Sequence, residues 1–75
     1  MIGVSRNGRK WQAIIKDGTS KRYLGLFVDI ADAGRAFDRE AMLLRGTRAR
    51  TNFSYTKRDI RRLFAKELGT IGINF

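Results

Sequence analysis

The chain contains no cysteine, no histidine and no proline. Without cysteine there are no disulfide staples, and thiolate and imidazole metal sites are excluded. Without histidine there is no imidazole to act as a general base. No apolar run approaches the length of a membrane span, and the N-terminus lacks the apolar stretch of a secretory signal. Acids are scarce too. Asp17, Asp29, Asp32, Asp38, Glu40, Asp59 and Glu67 are read as turn, cap or exposed helix residues, with neither a paired-carboxylate nor a metal-ligand spacing. A Gly-rich phosphate loop is also missing. These absences predict a non-enzyme with no catalytic residue, metal or cofactor, and no membrane or small-molecule substrate as partner.

What is present is positive charge. Sixteen Lys and Arg against seven Asp and Glu give a net +9 over 75 residues, a balance that points to a polyanionic partner. Residues 1–27 carry six cations (Arg6, Arg9, Lys10, Lys16, Lys21, Arg22) and one acid, whereas residues 28–53 carry five cations and four acids. Residues 54–75 carry five cations and two acids. The excess lies on the first third and the tail. The length allows one small domain with a core near the lower limit of size, and Met1 stands almost on the first strand, as in a module of a longer protein.

Asn7-Gly8 between strand-like residues is a hairpin signal, because a turn centred on that pair needs φ > 0 at both positions. In the strand that follows, alternation puts Trp11, Ala13 and Ile15 on one face and Lys10, Gln12, Ile14 and Lys16 on the other. Strands are expected at Ile2–Arg6, Arg9–Lys16 and Lys21–Phe27, with a turn at Asp17-Gly18-Thr19-Ser20. Gly25 marks a bulge or a close backbone approach. A helix over Ile30–Arg45 is capped by Asp29 and stopped by Gly46, and its stripe of Ala33, Phe37, Ala41 and Leu44 is small enough to lie close on a sheet. A second helix over Lys57–Leu68 starts at a Thr56/Asp59 cap and stops at Gly69, with Ile60, Leu63, Phe64 and Leu68 on its apolar side. Thr70–Phe75 are apolar enough to pack or pair. The fold class is α+β: a three-stranded antiparallel sheet packed on one amphipathic α-helix, plus a short C-terminal helix.

Gly3-Val4, Trp11-Gln12-Ala13, Tyr23-Leu24-Gly25 and Phe27 resemble the sheet half of the plant-type AP2/ERF DNA-binding domain. Ala33, Ala36-Phe37-Asp38-Arg39, Ala41, Leu44-Arg45-Gly46, Ala49 and Asn52-Phe53 resemble its helix half. The resemblance covers residues 3–53, so the expected division is a domain over 1–53 and a helical extension over 54–75. The Trp-Gln-Ala and Tyr-Leu-Gly spelling is more similar to AP2-type repeats than to the ERF type.

The resemblance implies a nuclear, sequence-specific transcription factor that lays its sheet in the major groove of double-stranded DNA. By position it puts Gly3, Ser5, Lys10, Ile14, Lys16, Lys21 and Tyr23 against DNA. The first hairpin is shorter than the family's usual one, and Arg6 and Arg9 are the arginines available there. Gln12 is a further candidate, since an amide can bond adenine at two points. Ser5, Lys16 and Lys21 stand where the family usually has Arg; a Lys makes a point-charge contact where Arg makes a fork. Ile14 suits a thymine methyl. Family target sites therefore do not transfer to this chain.

The cations Arg35, Arg39 and Arg45 alternate with acids and read as a solvated, ion-paired helix face. Two other readings of the chain stay open: the DNA-targeting module of a mobile-element nuclease, and an RNA-binding or protein-interaction module. The family's frequent pairing of domains also leaves open a second AP2-type domain in the full-length protein.

Overall fold

The computed structural model describes residues 1–67. Strands β1 (Val4–Asn7), β2 (Lys10–Asp17) and β3 (Ser20–Phe27) are followed by helix α1 (Ile30–Arg45), a 3₁₀ turn over Gly46–Arg48 and helix α2 (Lys57–Glu67). The strands form one antiparallel sheet in the order β1-β2-β3, and α1 packs on one side of it. This is the expected α+β architecture. The expected end of the second helix at Leu68 and Gly69, and the segment Thr70–Phe75, lie outside the described residues.

Both hairpins use two-residue loops with glycine first. Asn7 pairs with Lys10 around Gly8-Arg9, and Asp17 pairs with Ser20 around Gly18-Thr19. Gly8 and Gly18 have φ of +62° and +64°, and among the described residues no non-glycine residue has positive φ. These are Gly-X turns of the kind that needs φ > 0 at one position only. The expected turn centred on Asn7-Gly8 is thus corrected by one residue. The shift slides β1 along β2 without exchanging their faces.

Alternation along β2 holds: Ala13 and Ile15 are buried, and Lys10 and Lys16 exposed. On β3 the register shifts, since Ile14 pairs with Tyr23 while Ala13 pairs with Gly25. Leu24 is the extra residue of a bulge. The bulge lets Tyr23 face outward and Phe27 inward although simple alternation would put them together.

The core is made of small residues around one large ring. Ala13, Ala33 and Ala41 are fully buried, with Ile15, Phe37 and Met42 nearly so; Leu24 and Ala49 pack against Ile15, Phe37 and Ala41. Leu44 departs from the expected stripe. It is 38% exposed, and Met42 is buried in its place because the tail segment and α2 cover that side of α1. Gly3 has φ +70°, and a Cβ there would stand 2.1 Å from a Phe37 ring carbon and 2.8 Å from the Ile14 carbonyl oxygen. Only glycine fits.

Local signals at the helix ends act as expected. The Asp29 side chain accepts from Ala31 N at 2.9 Å. Asp59 N donates to Thr56 Oγ1, and Thr56 N donates to Asp59 Oδ2, a reciprocal capping box. The Thr56 N–H bonded to the carboxylate, together with the Thr56 hydroxyl, holds the exposed Asp59 carboxyl below its ordinary range. The Gly46 N–H donates to Met42 O at φ +59°.

One residue overturns its sequence reading. Asp38 is not a solvated helix carboxylate but is fully buried. Its Oδ1 accepts from Asn52 N (2.7 Å) and Asn52 Nδ2 (3.1 Å), and its Oδ2 accepts from Phe53 N and Tyr55 Oη (both 2.9 Å). Asn52 in turn accepts from Ile2 N (2.6 Å) and donates to Ile2 O (3.0 Å). A single carboxylate thereby ties α1 to the chain after the 3₁₀ turn and, through Asn52, to the N-terminus. Ile2 is consequently withdrawn from β1, which is why that strand starts at Val4.

Burial and the Asp38 bond push Tyr55 up to about 12. Its folded value lies above its ordinary 10.0, so its contribution is complete below about pH 10 and is lost as pH rises through about 12. In a Tyr23→Phe variant Tyr55 is the only tyrosine. Its tyrosinate absorbance is expected to appear near pH 12; a midpoint near 10 would contradict the bond to Asp38.

Candidate nucleic-acid interface

The sheet face turned away from α1 follows from register. Residues paired across antiparallel strands share a face. Ser5 pairs with Gln12, Ile14 with Tyr23, and Lys16 with Lys21. With Lys10, these seven sequence-designated residues form one surface. Tyr23 is 57% exposed and Leu26, opposite Gln12, is 45% exposed. The surface carries no carboxylate: Asp17, the only acid of the strands, has the opposite parity to Lys16 and lies at the hairpin end. Cations, two amides (Asn7 and Gln12), two hydroxyls (Ser5 and Tyr23) and exposed apolar groups on a carboxylate-free sheet face suit a polyanion with a mixed polar and apolar floor.

Three designated residues are placed differently. Arg6 pairs with Trp11, and its guanidinium carbon lies 5.3 Å from the Trp11 ring centre, on the core-facing side. Its Nε donates to Gly8 O at 3.2 Å, bracing the turn. Arg9 is exposed on that turn. Gly3 is in the chain before β1 and contributes its carbonyl, which accepts from Ile14 N at 2.8 Å; its lack of a side chain serves packing on Phe37. Gln12 is held by Asn7, whose Nδ2 donates to Gln12 Oε1 at 3.1 Å, leaving the Gln12 amide N–H groups directed elsewhere. Asn7 on this face was missed in the sequence because it read as a turn residue.

The remaining sheet arginine is neutralised. Arg22 pairs with Ile15 on the core-facing side and forms an ion pair with Glu40 of α1. Arg35 pairs with Asp32 (2.8 Å), and Arg39 with Glu40 (3.7 Å) and Glu67. Asp32 raises the Arg35 value further above its already high range. These contacts agree with the ion-paired reading of that helix face. Arg45 differs, donating from Nη2 to Lys16 O at 2.9 Å. Among the described residues no three His, Cys, Asp or Glu side chains are grouped to hold a metal ion, and no helix is long and apolar enough to cross a membrane.

No protein-family model matches the chain. Curated relatives do. The chain is 51% identical over 59 residues to the ethylene-responsive transcription factor ERN3 of Medicago truncatula, covering 73% of this chain and 24% of that protein. It is 48% identical over 56 residues to the ethylene-responsive transcription factor RAP2-11 of Arabidopsis thaliana, covering 71% and 22%. With the ethylene-responsive transcription factor LEP of Arabidopsis thaliana it shares 47% over 60 residues, covering 73% and 28%. The chain thus spans about a quarter of the length of these relatives, and all three bear the ethylene-responsive designation rather than an AP2-type one. Similarity at this level, over about 70% of the chain, places it in the AP2/ERF family of DNA-binding domains.

Proposed function

We propose that this domain reads double-stranded DNA with the outer face of its sheet, as the sequence-specific targeting part of a nuclear transcription regulator. The observation that carries the reading is the assembly of Ser5, Lys10, Gln12, Ile14, Lys16, Lys21 and Tyr23 on one carboxylate-free surface, with α1 on the other side. The B-form major groove admits a β-ribbon, whereas the A-form groove of duplex RNA is too narrow for one. The chemistry is binding alone, with no reaction step.

Roles follow from side-chain chemistry. Lys10, Lys16, Lys21 and Arg9 neutralise phosphates and fix register. Gln12, Ile14 and Tyr23 lie in the middle of the sheet, where base edges, thymine methyls and sugars would meet them. Arg6 acts through Trp11 and the Gly8 turn to position Arg9. Four phosphate contacts give a slope of log K against log salt of about −3.6.

Selection of bound duplexes from a randomised pool at two salt concentrations tests the reading. A discrete motif that survives the higher salt is the expected result. Binding without any enriched motif, vanishing as salt rises, would reduce the domain to an electrostatic DNA binder and contradict sequence-specific readout.

A further inference from the structure

β1 is half as long as β2. It pairs with Lys10–Ala13, Gly3 O takes the Ile14 N–H, and the chain then leaves toward Asn52. From Ile15 onward β2 has no strand on that side. The result is an open notch of about 490 Å³, floored by Ile14, Ile15 and Phe37 and rimmed by Lys16, Lys21 and Arg45.

The rim is unusual in its pairing. Arg22, Arg35 and Arg39 all face carboxylates. Arg45, at the end of α1, makes no ion pair among the described residues, and its one bond goes to the Lys16 carbonyl. A guanidinium has five N–H donors, so most of its fork is free for an anion. Lys16 and Lys21 stand directly opposite each other, an arrangement of like charges that costs stability until anions neutralise them. Among the described residues no acid lines the notch.

We propose that Lys16, Lys21 and Arg45 form a phosphate seat at this open sheet edge, occupied by consecutive backbone phosphates of the bound DNA, one to each cation. Arg45 extends the footprint from the sheet to the end of α1. The inference rests on the sheet-docking reading above and adds a contact from the helix.

Fluorescence anisotropy over a salt series, with the duplex recovered by selection, tests it on wild type, Lys16→Gln, Arg45→Gln and Arg45→Lys, each with its Tm. Arg45→Gln is expected to weaken binding about fivefold at 0.15 M salt and to flatten the slope by about 0.9. Arg45→Lys keeps the charge and is expected to keep the slope. A lowered Tm with an unchanged slope would make Arg45 only a cap on the β2 edge and overturn the proposal. If Lys16→Gln flattens the slope and Arg45→Gln does not, the seat fails while sheet docking stands. If wild type binds no duplex, the docking reading fails and the seat with it. Inorganic phosphate alone, added at constant ionic strength, is expected to leave the Arg45 NMR signal unmoved; saturable binding there would assign a free-anion site and overturn the DNA assignment.

Discussion

Asp38→Ala is expected to remove a third or more of the domain's stability, lowering it by about 4 kcal/mol. Removing the carboxylate strands four donors: Asn52 N, Asn52 Nδ2, Phe53 N and Tyr55 Oη. A buried donor without a partner costs about 1–3 kcal/mol, and relaxation with water entry recovers part of the sum. A loss of about 4 kcal/mol is the expected net, against a total of about 4–11 kcal/mol for a chain of this length. Asp38→Asn keeps one carbonyl for Asn52 but turns an amide NH₂ toward the Phe53 N–H, so it loses about 2–3 kcal/mol. Asp32→Ala removes an exposed carboxylate that, among the described residues, pairs with Arg35, and changes stability by less than about 1 kcal/mol. Urea unfolding followed by the single tryptophan, Trp11, separates the three. An Asp38→Ala midpoint equal to that of Asp32→Ala would show that the network contributes nothing net.

The second large effect concerns binding. Replacing Lys10, Lys16 and Lys21 together by Gln is expected to weaken duplex binding about a hundredfold at 0.15 M salt. Each lost phosphate contact removes about 0.9 from the salt slope, so the slope should flatten by about 2.7. All three side chains are exposed, and none makes an ion pair among the described residues, so Tm should move little. Filter binding over a salt series against the selected duplex measures both quantities. An unchanged slope with full affinity would place the phosphate contacts elsewhere, and the basic α2 would become the surface to examine.

Periodicity carried most of the fold. Trp11, Ala13 and Ile15 announce the inner face of β2 by alternation, and Ala33, Phe37 and Ala41 announce the buried stripe of α1. Asp29, Gly46 and the Thr56/Asp59 pair act locally, within a turn of their own position, so their roles were legible. Long-range partners were not. Asp38 looks like any helix carboxylate until Asn52, Phe53 and Tyr55 are brought to it from 14–17 residues away. Leu44 and Met42 exchange places for the same reason, because the covering segment comes from the tail. The side of the sheet that Arg6 takes depends on pairing with Trp11, which no property of Arg6 reveals. The bulge at Leu24 was signalled by Gly25, but its consequence, turning Tyr23 to the outer face, required the register. The Asn-Gly signal found the hairpin and misplaced its centre, since glycine at the first loop position is sufficient for a Gly-X turn.

The most direct measurement is a backbone amide NMR titration of the whole chain with the selected duplex. The expected shifts fall on Ser5, Lys10, Gln12, Ile14, Lys16, Lys21 and Tyr23 and on the Gly8-Arg9 turn, with the middle of α1 and all of α2 nearly silent. Shifts concentrated on Lys57–Glu67, with the sheet unmoved, would contradict a domain that reads DNA with its sheet.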